Sequence, residues 1–152
     1  MQTRFPPLLW FALLIVVAGL VLFSQTWAWY GDEGFHLLAS QLILLGEKPY
    51  VDFFYPQTPI WPYVDAGWMQ IFGDTWRSAH MLAALLTGGS IVLSAGFVFE
   101  RIPEIKWRLS AALIAAILIG LDTVVIGFGT IGQAYGICLF LITAAFRITV
   151  KA

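Results

Sequence analysis

Apolar positions in this chain fall into long unbroken runs, not the alternation of a half-buried strand or the single stripe of a soluble helix. Runs over residues 8–29, 78–99, 109–128 and 131–146 approach the ~20 residues that span a bilayer's hydrocarbon core, the fourth being the shortest. The pattern predicts an all-α polytopic membrane bundle of about four transmembrane helices, a single transmembrane domain over residues 1–152. Between the first two runs the pattern changes. Phe35, Leu38, Leu42 and Leu45 recur at helical spacing and Gly46 supplies a stop, so residues 34–45 read as a helix too short to cross and suited to the interface. A second interfacial helix starts at Pro59 or Pro62 and stops at Gly73, with 49–56 extended between them.

Composition agrees with the pattern. A hydrophobic fraction of 60%, 11% charged residues and a mean hydropathy of +0.84 lie far from soluble domains, which are about 25% charged. Charge then orients the helices. With the N-terminus cytoplasmic, six basic residues (Arg4, Arg101, Lys106, Arg108, Arg147, Lys151) fall inside and two, Lys48 and Arg77, outside, as the positive-inside rule requires. Residues 30–77 then lie outside, carrying Asp32, Glu33, Glu47, Asp52, Asp65 and Asp74. An acidic outer loop on a chain of net charge −1 argues against nucleic acid as a partner and leaves membrane lipids as the surroundings. The first run is too long for a signal-peptide core, and Thr26-Trp27-Ala28 is a poor cleavage site. Cys138, the single cysteine, cannot form an internal disulfide and says nothing of redox compartment.

Candidate chemistry concentrates in that loop. Five of the seven tryptophans (Trp27, Trp29, Trp61, Trp68, Trp76) and four of the five tyrosines (Tyr30, Tyr50, Tyr55, Tyr63) lie in or beside it, as amphipathic rings do at headgroup level. Asp32, His36 and Ser40 are spaced four apart, so a helix reaching back to Asp32 carries them as a polar stripe opposite the leucines. A carboxylate there suits general-base work on a hydroxyl. The plainer reading is that Asp32 and Glu33 cap the helix, with His36 a solvated interfacial residue. Arg77, at the outer mouth of the second span, is either a phosphate-binding fork or a snorkelling arginine. Asp122 interrupts the third span about 21 Å above Arg108. It reads either as a structural carboxylate paired or protonated inside the bundle, or as a functional intramembrane charge. The segment 127–136, GFGTIGQAYG, reads as a tight outer turn or a close helix contact through Gly132 and Gly136.

The ordered set Asp32-Glu33-Gly34, Gly46-Glu47-Lys48-Pro49-Tyr50-Val51-Asp52-Phe53, Thr58-Pro59 and Ile71-Phe72-Gly73 resembles the N-terminal part of the GT-C superfamily of membrane glycosyltransferases. The likeness is to its bacterial family-39 and protein-mannosyltransferase-like members, and it runs over most of the chain. It implies a bacterial inner-membrane transferase. The donor is a polyprenyl-phosphate-linked sugar, and the acceptor is a glycan, lipid or protein at the outer face. Asp32 is carried over as the catalytic base and Glu33 as its partner. His36, Tyr50, Asp52, Arg77, Asp122 and Gln133 line the substrate site. Many relatives place a second acidic residue where Gln133 stands here. No metal or other cofactor is therefore assigned, although the family's chemistry admits a divalent metal.

The family's enzymes are much longer, so the expectation is a fragment of such a catalytic domain, with a complementing C-terminal chain as a further partner. Two other classes stay open: a non-catalytic interaction subunit docking through glycine faces, and a small transporter using Asp32, Arg77 and Asp122.

Overall fold

The computed structural model describes residues 5–26 and 31–151, the last by its backbone alone. The described residues form seven helices and no strands: α1 (Pro7–Ser24), α2 (Glu33–Leu44), α3 (Ile60–Phe72), α4 (Trp76–Arg101), α5 (Ile105–Gly120), α6 (Thr123–Gly129) and α7 (Tyr135–Lys151). The all-helical expectation holds. Trp27, Trp29, Tyr30 and Arg4, used above for the aromatic belt, the cleavage site and the charge balance, lie outside the described residues.

Helix ends follow local chemistry. α1 opens on Pro7, whose missing N–H costs nothing in a first turn. α2 closes on a Schellman arrangement in which Gly46 N–H donates to the Ile43 carbonyl and Glu47 N–H to the Leu42 carbonyl, at 2.9 and 3.0 Å. Gly46 sits at φ +93° and Gly73, ending α3, at φ +98°, where a side chain would be strained. Both predicted stops and both short helices are present.

The span count differs from expectation. α1 and α4 are long and apolar enough to cross a membrane, and α5 with α6 make a third only if a pair bent by 60° is one span. The break has a physical cause. Asp122 sits at φ −65°, ψ 125° and its carboxylate accepts from the Val124 and Val125 N–H groups, so a new helix starts there at an angle. The fourth run folds as α7, a shorter apolar helix. Among the described residues, two helices, or three with the bent pair, are thus long and apolar enough to cross, against the four expected.

α4 is the central helix, packed by α1, α5 and α7. Leu9, Leu13 and Leu20 of α1, Ile91, Ala95 and Phe99 of α4, and Ala112 and Ala116 of α5 make the main core. At one end, Arg147 pairs with Glu100 at 3.0 Å and Arg101 Nη2 donates to the Val150 carbonyl at 2.9 Å. At the other end α2 and α3 pair with each other, and α3 leans on α4. Leu38 and Leu45 of α2 are 53% and 80% exposed, whereas Glu33, His36 and Ser40 are buried. The leucine stripe faces outward and the polar stripe inward, the reverse of a soluble amphipathic helix.

Candidate functional site

Asp32 and Glu33 are neighbours with opposite surroundings. Asp32 holds the position before α2, but its carboxylate makes no capping bond to the helix, and it is exposed. One residue on, Glu33 points into the bundle at 0% exposure. Glu33 Oε1 accepts the Gly132 N–H at 2.7 Å and meets His80 Nε2 of α4. The opposite ring nitrogen, His80 Nδ1, lies 2.7 Å from the Ser24 carbonyl at the end of α1. Trp61 Nε1 of α3 donates to the Gly132 carbonyl at 3.2 Å. The carboxylate thus ties α2 to α4 and the 130–134 turn directly, and through His80 and Gly132 to α1 and α3.

Asp32 lines an open cleft of about 850 Å³, whose walls include Phe35 and Gln41 of α2, Asp74, Thr75 and Trp76. Gln41 Nε2 donates to Asp74 Oδ1 at 2.9 Å. The arrangement sets two carboxylates, an amide, a hydroxyl and two aromatic rings around one space. Arg77 is exposed at the start of α4, with its guanidinium 5.1 Å from the centre of the Trp76 ring. It therefore stands beside the cleft wall that Trp76 forms.

Behind the cleft lies a second polar layer between α2 and α3. His36 is 2% exposed, which corrects the solvated reading. It is buried because the polar face of α2 turns inward, and its Nδ1 pairs with the Tyr55 hydroxyl at 2.7 Å. Burial holds His36 below its ordinary range although Asp32 and Glu33 pull it up, and burial raises Tyr55 to about 12. Asp65 of α3 is 0% exposed and neither carboxylate oxygen has a hydrogen-bond partner among the described residues. Loss of water lifts Asp65 to about 6; nearby Ser40 and His80 pull against the shift, and the charges of Asp74 and Glu33 add to it. A carboxyl at that value is substantially protonated in mild acid.

The remaining predicted residues do not join the cleft. Tyr50 adopts φ +67° and its hydroxyl donates to the Gln57 carbonyl, while Asp52 Oδ2 accepts the Lys48 N–H at 2.8 Å. Both bonds close the 48–57 loop on itself, so this stretch is a folded turn instead of extended chain. Asp122 is exposed and caps α6; it is neither paired nor buried within the bundle. Gln133 is 6% exposed in the turn beside Gly132. Among the described residues no group of three or more His, Cys, Asp or Glu side chains could hold a metal.

Sequence reading missed His80 and Asp65. His80 sits near the start of the second apolar run, and an ionisable residue there was a usable signal. Asp65 lies between Trp61 and Met69 at i±4, so its position on the buried face of α3 was also readable from spacing.

No family model, curated protein or solved structure matches the chain. What the site offers is therefore the cleft itself: a carboxylate that makes no capping bond, exposed on an open space and backed by a buried polar layer.

Proposed function

We propose that this chain is the N-terminal part of a GT-C-type membrane glycosyltransferase, with Asp32 as its general base. The observation carrying the reading is the placement of Asp32. It is exposed on the wall of a cleft, and it does not cap its helix although it holds the capping position. A carboxylate spent on capping is a poor base; one left open to a cleft can reach an acceptor hydroxyl. In the reaction the acceptor oxygen attacks the anomeric carbon and Asp32 takes the hydroxyl proton. The bond from that carbon to the polyprenyl phosphate breaks, and the phosphate leaves with the electron pair. Phe35 and Trp76 line the cleft with aromatic surface for a sugar ring, and Gln41 and Asp74 offer hydrogen-bonding groups to its hydroxyls. Arg77, beside Trp76, suits the leaving phosphate.

The other classes draw less support. Gly129, Gly132 and Gly136, the glycines a docking subunit would present, are buried within the fold. Of the three charges a transporter would use, Asp122 caps a helix and is exposed, away from Asp32 and Arg77 at the cleft.

Replacing Asp32 by Asn tests the reading. In membranes carrying the full chain, supplied with a radiolabelled polyprenyl-phosphate sugar, Asp32→Asn should lower transfer about 10²–10⁴-fold. Its amount and melting behaviour should stay at the unaltered level. Equal transfer with and without the substitution would sink the assignment.

A further inference from the structure

The hydrogen bonds around His80 leave little freedom in where its protons lie. Nδ1 faces the Ser24 carbonyl, which can only accept, so Nδ1 carries a hydrogen. Nε2 faces Glu33 Oε1, and that same oxygen accepts the Gly132 N–H. One further proton must therefore lie between Nε2 and Oε1, either as an imidazolium facing a carboxylate or as a neutral ring facing a carboxylic acid. Both arrangements are neutral overall, and both satisfy every bond just named. Neutrality matters because both side chains are 0% exposed, where an uncompensated charge is heavily penalised.

The geometry points to His80 as a positioning residue: it shares one proton with buried Glu33, and so clamps the start of α2 and holds Asp32 on the cleft wall. This deepens the reading of Asp32 as the base and rests on it for its purpose. Asp32 and Glu33 are adjacent, so any shift of Glu33 carries Asp32 with it. The clamp joins four parts of the chain: α2 through Glu33, α4 through His80, α1 through Ser24 and the 130–134 turn through Gly132. Gly132 is required at its place. A Cβ there would come within 2.9 Å of Glu33 Oε1 and 3.1 Å of Ala79 Cβ.

A glutamine at 33 cannot reproduce this pattern. Its oxygen can accept from Gly132, but then it meets a bare Nε2 unless His80 becomes a buried cation. Its nitrogen can donate to Nε2, but then it faces the Gly132 N–H. Glu33→Gln, nearly identical in shape, therefore separates proton sharing from simple packing.

Two measurements on the full chain in lipid nanodiscs test the clamp, and neither reads transfer activity. The chain has two histidines, so ¹⁵N-histidine NMR with a His36→Gln control assigns His80 directly. The expected signature is an Nδ1-bound hydrogen plus a strongly deshielded proton shared with Nε2, the latter lost in Glu33→Gln. Absence of that proton from the unaltered protein would overturn proton sharing. Spin labels at Asp32→Cys and Arg77→Cys, with Cys138→Ser, then report the start of α2 relative to α4. A narrow distance distribution should broaden in His80→Phe and in Glu33→Gln. An unchanged distribution in the folded Glu33→Gln protein would overturn the clamp even if His80→Phe fails to fold. In the transfer assay, His80→Phe should lower kcat about 10–100-fold with little change in KM. Should Asp32→Asn prove silent while both spectroscopic results hold, the clamp stands and the transferase reading alone fails.

Discussion

The layer made by α2 and α3 and the seam between α4 and the 129–136 segment meet at Gly132, yet they cohere by different physics. The layer is held by buried polar pairs, Glu33 with His80 and His36 with Tyr55, and it also buries Asp65. The seam is held by the absence of side chains. Cβ atoms added at Gly129 and Gly136 would come within 2.7 Å of Thr87 Oγ1 and 2.8 Å of the Ala83 carbonyl, and Thr87 Oγ1 donates to the Gly129 carbonyl at 2.6 Å. Polar burial defines protonation and orientation, as a site requires. Close backbone approach is tolerant of pH and intolerant of volume. The contrast separates the part of the molecule suited to chemistry from the part that supports it.

Breaking the polar layer should have the largest effect on stability. Glu33→Ala leaves His80 Nε2 and the Gly132 N–H without their carboxylate. Removing one partner of a buried pair costs about 3–5 kcal/mol, so the variant should unfold at markedly lower denaturant in mixed micelles. A loss within 1 kcal/mol would mean that water replaces the carboxylate and that the layer is wetter than its burial indicates.

Attacking the seam should cost less and should not depend on pH. Gly136→Ala forces a methyl group against the Ala83 backbone, which cannot rotate away, and overpacking of this kind costs about 1–3 kcal/mol. Gly127→Ala is the control, because a Cβ at Gly127 meets nothing within 4 Å. If both variants melt alike, close approach does not hold the seam.

The same contrast explains what was legible in the sequence. Apolar runs, proline starts and glycine stops act locally, so the start of α1 and the whole of α2, α3 and α4 were readable within a few residues. The 127–136 segment reads as a tight turn or a close helix contact, and it holds some of each: Gly132 lies in a turn, and Gly136 of α7 packs against the α4 backbone at Ala83. The inward turn of the α2 polar stripe was not readable, because spacing defines a face and not the side on which it lies. That choice was made by α4 and the 48–57 loop, through His80 and Tyr55, which are 44 and 19 positions from His36 along the chain. The 60° break after α5 was half visible: Asp122 was seen as an interruption, but its short side chain caps α6 and starts a new direction instead of sitting inside one span. Asp32 and Glu33 look equivalent in sequence. They separate only because one falls before the first helical turn and the next falls on the buried face.

The last effect vanishes in acid, and it shows most directly that the layer responds to pH. Asp65 titrates at about 6 in the folded chain against an ordinary 3.8, so the folded state binds the proton more tightly than the unfolded state does. Between these values stability falls as pH rises, and above about 6 the whole penalty of the buried carboxylate is present. Asp65→Asn removes that penalty. The variant should match the unaltered protein near pH 4 and exceed it by about 1–3 kcal/mol at pH 7–8. His36 has the opposite sign. Its folded value is depressed from 6.5, so its contribution is present above 6.5 and is lost as pH falls through the folded value. In the unaltered protein the two slopes oppose each other across mild acid. In Asp65→Asn the His36 slope should stand alone, with stability falling steadily on acidification, whereas Gly136→Ala should shift the curve down without changing its shape. An Asp65→Asn curve parallel to that of the unaltered protein would show Asp65 to be ionised and solvated in both states, and would remove the polar layer's claim to differ from the seam.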